Sequence, residues 1–106
     1  MAVGVLISMS QTTQREYEQI NRTMFGKYPA EPDAAPSGLV LRTAGPTPDG
    51  WYVYDVWSSQ DDFRRFGREQ IKFAVQDVLG RALDDTQVQF YEIADVLPAA
   101  SGGRPF

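Results

Sequence analysis

The chain has 106 residues, a formal net charge of −4 and 42% hydrophobic residues, a composition typical of one small globular domain. It contains no cysteine and no histidine, which excludes disulfides, thiolate chemistry and nucleophilic sites that depend on histidine, and argues against a metal site. The acidic balance argues against a nucleic-acid partner, because phosphate binding requires a basic field.

The first segment of the chain predicts a buried strand. Residues 2–9 are aliphatic and β-branched, and a polar cluster follows them. No basic stretch precedes this segment, so it does not resemble a signal peptide. No apolar run approaches the roughly 20 residues that span a bilayer. We therefore expect a cytoplasmic protein with no membrane partner.

The next segment predicts a helix over residues 13–25. Apolar side chains recur at helical spacing from Tyr17 to Met24. Thr13 and Glu16 have the spacing of a capping box at its start. The helix leads into residues 26–38, whose three prolines and two glycines predict a loop. This loop is either a plain connection or a cover over a pocket.

The rest of the chain predicts a hairpin, a second helix and a fourth strand. Residues 38–44 and 51–58 are the two strands of an antiparallel hairpin with a turn-rich link over 45–50. The second helix is predicted over 60–79 and the fourth strand over 86–97.

The order strand, helix, strand, strand, helix, strand predicts an α+β, ferredoxin-like fold. This fold is a four-stranded antiparallel sheet with two helices on one face. We expect one domain over residues 1–97, followed by a flexible tail over 98–106.

Both sides of the third strand are unsuited to water. One side carries Trp51, Val53, Asp55 and Trp57, and the other carries Tyr52, Tyr54, Val56 and Ser58. Because the helices cover one face of the sheet only, the other face requires a partner surface. We expect that partner to be a second copy of the chain.

Two polar residues stand out in segments suited to burial. Asp55 lies in the third strand, where a buried carboxylate needs a partner or a shifted pKa. Its expected partner is Arg42 on the adjacent strand, as a structural pair or as part of a site, and Glu92 in the fourth strand carries the same ambiguity. Gln70 falls within the apolar sector of the second helix, so it either bonds to the structure or lines a cavity.

The segment over residues 54–66 carries a resemblance to a known family. It reads Tyr-Asp-Val-Trp-Ser-Ser-Gln-Asp-Asp-Phe-Arg-Arg-Phe, with Asp55 and Trp57 in the strand and Phe63 and Phe66 in the helix. This segment resembles the antibiotic-biosynthesis-monooxygenase-like members of the dimeric α+β barrel proteins.

That resemblance implies a homodimer whose two sheets close into a barrel, with a small-molecule pocket between sheet and helices in each subunit. In the family's oxygenases a tryptophan in the position of Trp57 lines the pocket. The chain departs from the oxygenase pattern in lacking histidine and in having Val53 where those enzymes have asparagine.

The function that we expect is that of a cofactor-independent enzyme of secondary, polyketide-like metabolism. Its substrate would be a hydrophobic aromatic or polycyclic small molecule, changed by oxygenation or by cyclisation or isomerisation. Arg42 or a tyrosine hydroxyl would stabilise an oxyanion, and Asp55 (or Glu92) would act as base. The residues expected to bind substrate are Tyr17, Trp57, Phe63, Phe66, Gln70 and Tyr91. The alternative is a non-catalytic dimeric module for small-molecule binding or stress response.

Overall fold

The computed structural model describes residues 1–84 and 87–97 and has the predicted α+β order. Its elements are β1 (Val3–Ser10), α1 (Gln14–Phe25), β2 (Leu39–Thr47), β3 (Gly50–Trp57), α2 (Gln60–Phe66), α3 (Lys72–Leu79) and β4 (Val88–Glu92). The four strands form one antiparallel sheet in the order β2-β3-β1-β4. This architecture confirms the predicted ferredoxin-like class.

The core lies between one face of the sheet and the helices. In β1 and β3 every second side chain points to this face, from Val3 to Met9 and from Trp51 to Trp57. The helices contribute Tyr17, Ile20, Phe63, Phe66, Ile71, Ala74 and Val75. Since β1 and β3 are the central strands, their inward side chains form the middle of the core.

The first helix begins and ends as predicted. Thr13 and Glu16 form the capping box, with the Glu16 N–H donating to the Thr13 hydroxyl at 3.1 Å. Gly26 ends the helix in the left-handed conformation at φ 85°. The loop that follows contains a 3₁₀ turn, Pro32–Ala34. No helix within the described residues is long and apolar enough to cross a membrane.

The hairpin is tighter than predicted. We expected a turn over residues 45–50, but β2 continues to Thr47, which pairs with Gly50, and only Pro48 and Asp49 form the turn. Pro46 is tolerated within β2 because this strand lies at the edge of the sheet and need not donate on its outer side.

The fourth strand is shorter than predicted. We expected residues 86–97, but β4 is Val88–Glu92. Val3, the first residue of β1, pairs with Glu92, so residues after Ile93 lie beyond the end of the neighbouring strand. Residue 86 and the predicted tail over 98–106 lie outside the described part of the chain.

The second helix contains a π turn that the sequence did not predict. Gly67–Ile71 joins α2 to α3, and the Lys72 N–H donates to the Gly67 carbonyl five residues earlier. A regular helix would place Gln70 one turn after Phe66 and bury it. The π turn places Ile71 in the core instead, and Gln70 is exposed. Gln70 therefore lies outside the apolar sector in which a regular helical spacing places it.

Candidate functional site

The strand register joins the two polar residues that the sequence singled out. Arg42 in β2 pairs with Asp55 in β3. The Arg42 guanidinium donates from Nε to Oδ1 at 2.9 Å and from Nη2 to Oδ2 at 2.8 Å. The Asp55 side chain is 0% exposed and that of Arg42 is 16% exposed. The pair is bidentate, the geometry in which arginine binds a carboxylate most strongly.

A third residue holds the Asp55 carboxylate. The indole Nε1 of Trp57 donates to Oδ2 at 3.2 Å. Both carboxylate oxygens therefore accept hydrogen bonds inside the protein, and the group is closed to solvent. In this conformation Asp55 orients Arg42 and does not touch open space.

Aromatic rings surround the guanidinium. Cζ of Arg42 lies 6.0 Å from the ring centroid of Phe25 and 6.0 Å from that of Phe66, within the range of cation–π attraction. These two rings stack on each other, with centroids 6.0 Å apart. Trp57 packs behind them, 5.4 Å from Phe66 and 5.8 Å from Phe63. The cation is thus held by a carboxylate on one side and by π faces on another.

The charge state of the cluster follows from its surroundings. Burial alone would lower the pKa of Arg42, but the hydrogen bonds and negative charge of Asp55 outweigh it and hold that pKa above its usual value. Burial raises the pKa of the Tyr17 hydroxyl, against the opposing effect of the Arg42 charge. Near neutral pH the cluster therefore presents a fixed cation beside a neutral phenol.

Arg42 reaches a cavity of about 300 Å³ beneath the proline-rich loop. The cavity lies between α1, residues 28–36 and β2, and its walls include Tyr17, Asn21, Phe25 and Tyr28. Asp55 accepts hydrogen bonds from Nε–H and from one Nη2–H of the guanidinium, so other N–H groups of Arg42 remain for a ligand. The loop therefore covers a cavity, which is one of the two roles that the sequence left open for it.

Between the sheet and the helices there is little room. The void there measures about 20 Å³ and is lined mainly by aliphatic side chains, with Tyr17, Asn21 and Arg42 at its edge. That is space for about one water molecule. The space for a ligand lies at the side of this layer, under the loop.

A second cavity of about 250 Å³ borders the first. It shares Phe25, Ala34 and Pro36 with the larger cavity, and its other wall carries Gln70 and Arg65 from the second helix. The two cavities thus lie side by side beneath the loop, and Phe25 belongs to both walls.

The structure brings together most of the residues predicted to form a site. The ion pair joins Arg42 to Asp55, and the indole hydrogen bond joins Trp57 to Asp55. Phe66 contacts Trp57 through a tilted ring pair and lies against the Arg42 guanidinium. Tyr17 lines the larger cavity beside them, and Phe63 supports Trp57 from behind. Gln70 lies apart, in the smaller cavity.

Tyr91 lies on the opposite face of the sheet from this cluster. It is in β4 opposite Gly4, is 48% exposed, and its hydroxyl donates to Gln89 at 2.9 Å. Within one chain it cannot reach a ligand that touches Arg42.

The wall of the larger cavity includes residues that were not predicted as site residues from the sequence, among them Asn21, Phe25 and Tyr28. Asn21 is buried and its Nδ2 donates to the Tyr17 carbonyl at 2.8 Å, while Phe25 and Tyr28 contribute rings to the wall. A signal for two of them was present, because Asn21 and Phe25 follow Tyr17 at steps of four and lie on the same face of α1.

The chemistry open to this cluster is the stabilisation of an anion. A desolvated arginine at the wall of an aromatic cavity favours a phenolate, enolate or carboxylate over the neutral form of the same ligand. Within residues 1–84 and 87–97 no three Asp or Glu side chains cluster in a way that could hold a metal ion.

Comparisons with known proteins support the fold. No family model and no curated protein matches the chain. Among solved structures, it is similar to a mutant of SnoaB, a cofactor-independent oxygenase from Streptomyces nogalater, with a TM-score of 0.54 and 17% sequence identity. The match covers 92% of this chain and 97% of that one. At this identity the likeness shows a shared fold and leaves the reaction open.

Proposed function

We propose that the chain is a cofactor-independent enzyme that acts on a hydrophobic aromatic or polycyclic small molecule of the polyketide type. One observation carries this proposal: the guanidinium of Arg42, buried and bound to Asp55, borders an aromatic cavity of about 300 Å³. An aromatic cavity with few polar groups is typical of sites for planar organic ligands. The likeness to a cofactor-independent oxygenase is consistent with it.

The residues of the cavity would act on an ionisable ring. Arg42 would stabilise the phenolate or enolate of the substrate, and the neutral Tyr17 hydroxyl would donate a hydrogen bond to a second oxygen. Asp55 would be a positioning residue for Arg42, because its carboxylate is closed to solvent. Oxygenation, cyclisation and isomerisation of a phenol all gain from an anion held in one orientation, so the proposal covers all three.

The working form that we propose is a homodimer formed through the open face of the sheet. Leu6, Leu41, Tyr54, Val56 and Tyr91 lie there, and alternation places no charged side chain of β1, β3 or β4 on this face. Strand spacings give the face an area of about 500 Å² per subunit, or about 1,000 Å² for a pair, near the lower limit of specific interfaces. A second copy is the occupant that we propose, since an uncharged aromatic face selects no charged partner.

The function is tested by turnover with no added cofactor. Purified protein is incubated with a panel of hydroxylated tricyclic and tetracyclic phenols in air-saturated buffer, with oxygen uptake and product mass as readouts. A product that gains oxygen indicates oxygenation, and an isomer or a dehydrated product without oxygen uptake indicates isomerisation or cyclisation. No change in any compound would contradict the proposal.

A matched pair of variants connects turnover to the cluster. Replacing both charges, Arg42→Met with Asp55→Leu, leaves no unpaired buried charge and should keep the fold. We expect it to lower turnover about 100- to 1,000-fold, the usual effect of removing an oxyanion-stabilising donor. The control is Arg68→Met, an exposed arginine on the second helix that lines neither cavity. Equal turnover in both variants would overturn the role of Arg42.

The alternative, a non-catalytic binding module, is favoured by a different observation. Both carboxylate oxygens of Asp55 accept hydrogen bonds from Arg42 or Trp57, an arrangement that is also expected of an ion pair that only stabilises the contact between β2 and β3. This function predicts that phenols bind, as calorimetry would measure, and that their mass stays unchanged over hours in the same incubations.

A further inference from the structure

We propose that the π turn of the second helix builds a polar subsite for a hydroxyl-rich appendage on the ligand. The appendage would be attached to the aromatic ring system that lies beside Arg42, so this inference rests on the function proposed above. Gln70 would be the specificity-determining residue of the subsite.

The π turn lies at the wall of the smaller cavity. Its residues Glu69 and Gln70 face the cavity of about 250 Å³ that borders the larger one. A π turn disrupts the regular hydrogen bonding of a helix and is found frequently at functional sites. Here it moves Gln70 from a core position to a cavity wall and supplies Ile71 to the core in its place.

Crowding at Gly67 does not explain the irregularity. Gly67, where the π turn begins, has ordinary right-handed helical dihedrals, and a Cβ at this position would meet no heavy atom within 4 Å. The backbone therefore does not bulge to relieve a close contact of Gly67. The observed consequences are the burial of Ile71 in the core and the polar wall of the smaller cavity.

The chemistry of that wall indicates what it would bind. Ser37 and Gln70 offer both donors and acceptors, and Glu69 offers an acceptor. Within the described residues these three side chains make no hydrogen bond with each other or with a neighbour. Asp62 and Arg65, on the same wall, already pair with each other at 2.6 Å. A mixture of donors and acceptors suits hydroxyl groups, which do both.

The two cavities are complementary in character. The larger cavity is lined mostly by apolar and aromatic residues, with Arg42 and Glu31 as its charged residues. The smaller cavity has more polar residues in its wall, and Phe25 belongs to both walls. Each measures at most about 300 Å³, while both together fall within the roughly 300–1,000 Å³ usual for small-molecule pockets. A ligand that fills both would be flat and aromatic at one end and hydroxylated at the other.

The test compares two probes that differ in the appendage alone. These are a dihydroxyanthraquinone and the same compound carrying one glucosyl group, with dissociation constants measured by calorimetry. For the native chain we expect the glucoside to bind about tenfold more tightly. Gln70→Ala should abolish that difference and leave the affinity for the bare ring system unchanged. Gln76→Ala, an exposed glutamine on α3 outside both cavities, is the matched control and should preserve the difference.

A second variant tests the π turn itself. Deleting Gln70 brings Phe66 and Ile71 to the four-residue spacing of a regular helix. We expect this variant to remain folded, as monitored by circular dichroism, and to bind both probes equally. Should it not fold, Gln70→Ala alone decides the question.

The outcomes separate this inference from the proposed function. Equal binding of the two probes by the native chain, or equal loss of both in Gln70→Ala, would overturn the subsite and leave the aromatic cavity standing. Binding of neither probe would overturn the aromatic ligand class and the subsite together.

Discussion

The two faces of the sheet use the same strands for opposite purposes. In β3, Asp55 points into the core and is fully buried, whereas its neighbours Tyr54 and Val56 point to the open face and are half-buried. The charged residue is thus inside and the apolar ones are outside. Polarity alone therefore does not predict burial. A charged side chain is tolerated in the core when the strand register places an oppositely charged side chain beside it. An apolar sheet face that is left uncovered within one chain indicates a contact surface for a second chain.

The largest expected effect comes from breaking the buried pair on the covered face. Arg42→Met leaves the Asp55 carboxylate buried without its partner and should lower the free energy of unfolding by about 3–5 kcal/mol. Adding Asp55→Leu should restore most of that loss. Urea unfolding of the three proteins measures both. A single variant within about 1 kcal/mol of the native chain would show that the pair is not what stabilises this face.

The next effect concerns the open face. Val56→Lys places a charge at the proposed dimer interface and should weaken the dimer about 100-fold or more, because like charges brought together cost several kcal/mol. The subunit should stay folded, since Val56 lies outside the core. Native mass spectrometry measures the fraction of dimer, and circular dichroism shows whether the subunit is folded. Phe73→Lys, on the helical side at 67% exposure, is the control and should leave the mass unchanged. A native chain that is monomeric at all concentrations would contradict the assignment of this face.

A smaller effect comes from a single hydrogen bond on the covered face. Trp57→Phe removes the indole N–H that donates to Asp55 and should lower the free energy of unfolding by about 2 kcal/mol. Tyr54→Phe, the matched loss of one polar group on the open face, should cost less than about 0.5 kcal/mol. Thermal and urea unfolding compare them. Equal costs would mean that Asp55 does not depend on Trp57.

The smallest expected effect is a pH dependence of stability that comes from Asp62, at the rim of the smaller cavity. Hydrogen bonds from Ser58 and Ser59, with Arg65 beside them, hold the pKa of Asp62 below its usual 3.8. A folded-state pKa that is lowered stabilises the fold above the unfolded-state pKa, and this contribution disappears as the pH falls through the folded value. The stability advantage of the native chain over Asp62→Asn should therefore be present at about pH 6 and shrink below about pH 4. A constant difference across this range would contradict the role of the Asp62 charge.

Much of the fold could be predicted from local patterns. The alternation in β3, the helical spacing in α1 and the turn residues between β2 and β3 each depend on neighbours within a few positions. They were enough for the order of elements, the antiparallel hairpin and the capping box at Thr13. They also singled out Arg42, Asp55 and Trp57, because a charge within an apolar strand is visible without coordinates.

Other features were decided by contacts between distant segments. The pairing of Arg42 with Asp55 depends on the register of the hairpin, and this register is set by a turn that is shorter than predicted. The end of β4 depends on where β1 begins. The π turn at Gly67–Ile71 depends on which side chain the sheet accepts into the core, so Gln70 was placed wrongly by a regular helical spacing. The larger cavity exists because the loop folds back over α1, bringing Tyr28 towards Arg42. Each of these is a choice among nearly equal local conformations, and packing energy summed over distant residues makes that choice.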